Sequence, residues 1–77
     1  MPDIEKLIGK MKAQPNGVRF EEVRKVLAAH GFRLVRQRGS HCFFENEAGR
    51  GFTIPERNPV KAVYVHMILT IIGEADN

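Results

Sequence analysis

Five neighbouring residues in the middle of the chain suit chemistry on an anionic substrate: Arg36, Arg38, Gly39, Ser40 and His41. Arginine can bind a phosphate with two donors, and glycine lets a phosphate approach the main chain closely. A serine hydroxyl can donate to a phosphate oxygen or hold the turn by bonding its own backbone. An imidazole gains and loses a proton near neutral pH, so His41 is the candidate for proton transfer.

RNA is the substrate whose chemistry matches these residues. Its 2′-hydroxyl can attack the adjacent phosphodiester once it has lost its proton, and this reaction needs no metal or cofactor in principle. Proton transfer by a positioned side chain contributes roughly 10²–10⁴-fold, and arginine stabilises the charge that develops on the phosphate. The tripeptide alone also fits an ordinary turn before a strand, so spacing leaves both interpretations open.

Other chemistries find little support in the sequence. Cys42 follows His41 directly, so on a strand the two side chains point to opposite faces, and Cys42 is predicted to fill the core. The histidines and the cysteine show no metal-ligand spacing, so no metal site is expected. His30 is predicted to sit in the last turn of a helix, where its charge suits the helix dipole.

Length and composition predict a single domain over residues 1–77 with a modest core. The chain carries 12 Lys and Arg against 9 Asp and Glu, a net charge of +3, and no acidic residue lies between Lys25 and Glu45. One cysteine and a charged N-terminal stretch without an apolar core predict a cytoplasmic protein. The apolar run 60–72 is too short to span a membrane.

Hydrophobic periodicity predicts the element order α-α-β-β-β-α. Two amphipathic helices precede a basic strand, which ends at Gly39-Ser40; a second strand covers 41–45 and a third covers 51–54, closed by Pro55. Asn58-Pro59 predicts the start of the last helix, as a cap followed by proline. The expected fold is a two-layer α+β domain with an antiparallel three-stranded meander and helices on one face. Because Phe43 and Phe44 are adjacent and both apolar, the buried face of the second strand stays open.

The last helix carries more apolar residues than one core stripe requires. The predicted stripe is Val60, Val63, Tyr64, Met67, Ile68, Ile71 and Ile72. Ala62, Val65 and Leu69 are additional, and the polar side is left to Lys61, His66 and Thr70. This excess predicts an exposed apolar patch that contacts another chain; a well-buried helix in a thin core is the alternative.

The stretch HGFRLVRQRGSHCFF, with Ile54-Pro55 and the closing apolar helix, resembles the HicA-type (YcfA-like) mRNA interferase toxins of bacterial toxin–antitoxin pairs. The similarity runs from about Val18 to Ile72. Its most specific element is Gly31-Phe32, a basic strand, and then Gly39-Ser40-His41 at this interval.

This resemblance implies a fold similar to a double-stranded-RNA-binding domain and the role of toxin in a type II toxin–antitoxin system. It further implies ribosome-independent endoribonuclease activity on mRNA that depends on His41, with Gly39 and Ser40 shaping the turn. A HicB-type antitoxin is the implied protein partner and would cover the site. A homodimer and a larger toxin–antitoxin complex both stay open.

The chain departs from the family pattern after the third strand. Many members have a second histidine shortly after the proline, whereas this chain has Glu56, Arg57 and Asn58. From their charge, Arg57 and, as a weaker candidate, Lys61 are predicted to contact phosphate together with Arg36 and Arg38. The alternatives are a non-catalytic RNA-binding module, a weakened toxin, and a protein that acts mainly through protein–protein interaction.

Overall fold

The computed structural model describes residues 3–74. In chain order it has the elements α1 (Ile4–Ala13), α2 (Phe20–Ala29), β1 (Arg33–Arg38), β2 (His41–Glu45), β3 (Gly51–Pro55) and α3 (Ala62–Ile71). The strands form one antiparallel sheet in the order β1-β2-β3, and the helices cover one of its faces. The predicted α+β fold and its element order are confirmed.

The first two helices begin and end where local polar groups satisfy their free backbone groups. The Asp3 carboxylate accepts a hydrogen bond from the Lys6 backbone N–H (3.1 Å) and so caps α1. At the C-cap of α2, His30 Nδ1 lies 2.9 Å from the Val26 carbonyl oxygen, which agrees with the structural role predicted for this histidine. Gly31 follows it with a φ of +84° and ends the helix.

The segment between β3 and α3 differs from the prediction, because α3 begins at Ala62 and not at Asn58-Pro59. The peptide bond between Asn58 and Pro59 is cis, and Lys61 takes the N-cap position. Asn58 is a cap nonetheless, but of another helix. Its side-chain oxygen accepts a hydrogen bond (2.7 Å) from the backbone N–H of Phe20, the first residue of α2.

The buried face of α3 is also rotated from the predicted stripe. Val65, Ile68 and Leu69 are its buried residues, whereas Val63 is 65% exposed. Both stripes follow helical spacing, so periodicity cannot choose between them in a helix that is apolar on most sides. The predicted polar side is correct, because Lys61, His66 and Thr70 are all exposed.

The core lies between the helices and the inner face of the sheet. Phe44 joins two aromatic neighbours there, with ring centroids 6.2 Å from Phe20 and 6.0 Å from Phe52. The fully buried residues of the core include Val23, Val26, Leu27, Cys42, Phe44, Ile54, Val65 and Ile68. Within residues 3–74, no helix has the length and apolar character that crossing a membrane requires.

Candidate nucleic-acid site on the outer sheet face

Gly39 and Ser40 form the two-residue turn that joins β1 to β2, with Arg38 and His41 as the paired residues on either side. Gly39 has a φ of +60°, whereas no non-glycine residue in the described range has a positive φ. A positive φ at the first turn position alone is typical of a type II′ hairpin, which demands glycine there. A Cβ on Gly39 would meet nothing within 4 Å, so backbone conformation and not space requires glycine.

The turn is held in place by the end of β3 and by a side chain of β1. The Ser40 carbonyl oxygen accepts a hydrogen bond from the Glu56 backbone N–H (2.6 Å). The Gln37 amide nitrogen donates to the Gly39 carbonyl oxygen (3.0 Å) and to the Glu56 carboxylate (2.8 Å). The backbone that leads into His41 is therefore fixed from both neighbouring strands.

Strand β2 separates its residues cleanly between the two faces of the sheet. Cys42 and Phe44 are buried against the helices, whereas His41 is exposed and Phe43 is half-buried on the opposite side. This resolves the question of which face is buried. Burial raises the pKa of the Cys42 thiol, and the nearby Glu56 carboxylate adds to the effect. The thiol therefore stays protonated at neutral pH and is not a nucleophile.

An irregularity in β1 decides where its arginines lie. Leu34 pairs with Phe44, yet Arg36 pairs with Phe43, so the register shifts by one residue at Val35. Residues directly opposite each other in an antiparallel pair share a face. Without this bulge, the alternation from buried-side Leu34 would turn Arg36 towards the helices. The bulge instead brings Arg36 to the face that carries His41.

We call this surface the outer sheet face. The register assigns to it nine residues, three from each strand: Arg33, Arg36, Arg38, His41, Phe43, Glu45, Gly51, Thr53 and Pro55. The three cations are all on β1, and the single carboxylate lies opposite Arg33, at the end of the sheet away from the turn. The region around His41 is therefore positively charged and open to solvent.

Phe43 and Arg36 are in contact on this face. The Arg36 guanidinium carbon lies 5.0 Å from the centroid of the Phe43 ring, which is a cation–π geometry. Beneath the ring is Gly51, where a Cβ would lie 2.6 Å from Phe43 Cζ and 2.9 Å from the Phe44 carbonyl oxygen. Only glycine gives the ring room to lie over the neighbouring strand.

The predicted site residues therefore fall into two groups. The structure brings Arg36, Arg38 and His41 together on the outer sheet face, beside the Gly39-Ser40 turn. Arg57 is exposed two residues beyond Pro55, the cross-strand partner of His41. Lys61 is exposed at the N-terminus of α3, and no hydrogen bond in the described part of the chain links it to the turn.

Sequence reasoning missed the parts played by Phe43, Gln37 and Glu56. Two adjacent phenylalanines on a strand do signal that one lies outside the core. The bulge that pairs the outer one with Arg36 leaves no sequence pattern that could have been read. Among residues 3–74, no three His, Cys, Asp or Glu side chains cluster as metal ligands would.

A concave region lies apart from this face, between α1 and α2, with a volume of about 460 Å³. Its charges are of both signs, and Lys10 already binds Glu22 there, with Nζ 2.8 Å from the carboxylate. The lining residues are Asp3, Lys6, Leu7, Lys10, Arg19, Glu21, Glu22 and Lys25. Mixed charge gives this groove no preference for a polyanion, unlike the outer sheet face.

Comparison with known proteins places most of the chain in one family. A family model described as the HicA toxin of bacterial toxin–antitoxin systems matches residues 20–75, well over half of the chain. The match includes all three strands, the turn and α3, and it leaves α1 outside. No curated protein and no solved structure matches the chain.

Proposed function

Because the chain belongs to the HicA toxin family of bacterial toxin–antitoxin systems, we propose that it is an endoribonuclease toxin that cleaves mRNA with His41 as its proton-transfer group. The observation that supports this best is the placement of His41. It is exposed, it faces Arg38 across the hairpin, and it follows a turn that both neighbouring strands hold.

In the proposed reaction, an imidazole nitrogen of His41 takes the proton from the 2′-hydroxyl. The 2′ oxygen then forms a bond to phosphorus, and the bond from phosphorus to the 5′ oxygen breaks. The 5′ oxygen leaves with a proton from water, which gives a 2′,3′-cyclic phosphate and a free 5′-hydroxyl. Arg36 and Arg38, with Arg57 and Lys61 as outer contacts, hold the phosphate and offset its added charge.

The departure from the family pattern at Glu56 bears on the strength of this activity. The Glu56 carboxylate accepts the Gln37 hydrogen bond and so is used in holding the turn. The other two histidines of the chain lie on helices, at the end of α2 and within α3. We infer that His41 acts without a second imidazole, so that proton transfer to the leaving group depends on solvent.

A non-catalytic module for duplex RNA fits the surface less well. Modules of that kind contact phosphates across the grooves of the duplex. Lys61 is the one cation in the stretch from Asn58 to Tyr64 that begins α3. The cations of the outer sheet face are instead on β1, where Arg36 and Arg38 are nearest to His41.

Family membership implies an antitoxin partner. We propose a HicB-type antitoxin that binds over His41 and the arginines of β1 in the cytoplasm, since covering these groups excludes RNA. Exposed Val63 and its apolar neighbours on α3 offer a second contact for such a partner.

The test is cleavage of a single-stranded RNA in excess chelator by the wild-type protein, His41→Ala and His66→Ala. His66 is the matched control, because it is an exposed histidine on α3. We expect His41→Ala to lose roughly 10²–10⁴-fold in rate while His66→Ala keeps the wild-type rate. The same sequence made as DNA should stay intact, because it lacks the 2′-hydroxyl. Equal cleavage by folded His41→Ala would overturn the proposal.

A further inference from the structure

Proton transfer by His41 does not require the contact between the Arg36 guanidinium and the Phe43 ring, so this contact calls for another explanation. Phe43 is the one large aromatic of the outer sheet face, and it lies on the side away from the helices. Its ring supports the Arg36 guanidinium at 5.0 Å, and Gly51 leaves it the space to do so. An aromatic side chain and a guanidinium plane are the two surfaces on which unpaired RNA bases stack.

We propose that Arg36, backed by Phe43, is a subsite that stacks one unpaired RNA base beside the phosphodiester to be cut. This rests on the proposed nuclease function and adds to it that the substrate is single-stranded at the cut. The base packs on the open face of the guanidinium, and the N–H edges of Arg36 remain free to bind the adjacent phosphate.

The spacing along β2 suits this arrangement. His41 and Phe43 lie on the same face two residues apart, which corresponds to about 7 Å along an antiparallel strand. One nucleotide of an extended strand can cover that distance, so a base on Arg36 can belong to the nucleotide whose phosphate is beside His41. In a duplex both faces of a base are covered by its stacked neighbours, so only an unpaired base can stack on Arg36. The site would therefore select single-stranded RNA.

Charge complementarity makes RNA the occupant of this face. The three arginines of β1 lie on it, and its single carboxylate, Glu45, is opposite Arg33 at the far end. A polyanion gains from this distribution by release of counterions.

Phe43 also has a structural effect, since an aromatic ring laid over a glycine of the next strand stabilises a sheet. A test that removes the ring alone would therefore mix stability with binding. Arg36→Lys avoids this problem, because lysine keeps the positive charge and loses the plane on which a base stacks. Arg50→Lys is its control, because Arg50 is an exposed arginine in the turn between β2 and β3.

The experiment measures binding of a fluorescein-labelled, mixed-sequence single-stranded RNA of about 12 nucleotides over a series of salt concentrations. All variants carry His41→Ala, so binding is measured whether or not His41 is the catalytic group. Loss of one stacked base should weaken binding about 5- to 150-fold in Arg36→Lys, because stacking contributes about 1–3 kcal/mol. The salt slope should stay unchanged, since the charge is kept, and Arg50→Lys should bind like its parent.

Phe43→Leu and Phe43→Tyr complete the design. Leucine should weaken binding to the single strand, and tyrosine should restore it, with both proteins confirmed as folded by urea titration. Wild-type affinity in both Arg36→Lys and Phe43→Leu would overturn the inference. So would an equal loss for a duplex of the same sequence, or a loss of antitoxin binding with RNA binding intact.

Discussion

Gln37 and Glu56 are joined by a hydrogen bond of 2.8 Å, from the side-chain amide of one to the carboxylate of the other. The same amide nitrogen donates to the Gly39 carbonyl oxygen, and the Glu56 backbone N–H donates to the Ser40 carbonyl oxygen. Two residues that are distant in sequence thus hold both carbonyl groups of the turn. The position of the next residue, His41, depends on a network that neither strand provides alone.

This network predicts a catalytic effect for a residue that does not touch the substrate. In Gln37→Leu, the turn loses its side-chain support while the backbone bonds of the sheet remain. We expect the single-turnover rate of RNA cleavage to fall roughly 10-fold, since small displacements of reacting groups are costly. The dissociation constant for RNA should not change, because the arginines of β1 are untouched.

Gln14→Leu is the matched control, as Gln14 is an exposed glutamine at the end of α1. A purely structural role for Gln37 would lower stability and leave the rate of the folded protein unchanged. Quenched-flow cleavage at saturating enzyme, beside urea titration of each variant, separates these outcomes.

Asn58 lies before α3 but stabilises the start of α2, so we expect its replacement to lower the stability of the protein. Its side-chain oxygen accepts the Phe20 backbone N–H at 2.7 Å, so Asn58→Ala leaves that donor without its partner at the start of α2. We expect a loss of about 1–2 kcal/mol in the free energy of unfolding, as for other lost caps. Asn58→Asp keeps an acceptor at the same place and should stay near wild type. Equal stability of the alanine and aspartate variants in denaturant titrations would contradict this assignment.

The element order and the turn at Gly39-Ser40 could be predicted from sequence because both depend on local patterns. Helical periodicity in α1 and α2, and glycine at the turn, act over a few residues. What could not be predicted depends on distant partners. The capping of α2 by Asn58 joins residues 38 positions apart.

The sheet and α3 show two further limits of local patterns. Strict alternation along β1 would place Leu34 and Arg36 on the same face of the sheet. The bulge at Val35 places them on opposite faces. In α3 nearly every side is apolar, so only packing against the rest of the core selects Val65 over Val63.

The first two helices offer a test of pH dependence that is independent of the site. Glu22 on α2 accepts hydrogen bonds from the Lys10 ammonium (2.8 Å) and from the Arg19 backbone N–H (2.9 Å). The Lys10 hydrogen bond, followed by the Arg19 one, holds the pKa of Glu22 below its ordinary value of 4.5. A carboxyl group whose pKa is lowered by folding adds stability above its ordinary pKa and loses it in acid.

Lys10→Met should therefore destabilise the protein at pH 7 and hardly at all in strong acid. The methionine keeps the aliphatic part of the side chain and removes the ammonium. Since Lys10 is partly exposed, we expect a loss below about 1 kcal/mol in the free energy of unfolding at pH 7. The difference from wild type should shrink as the pH falls below 4.5 and Glu22 takes up a proton in the folded state. Urea titrations between pH 7 and strong acid measure this difference in stability, with Lys25→Met as the charge-matched control on α2. A difference that stays constant with pH would show that Lys10 acts through packing and not through the Glu22 carboxylate.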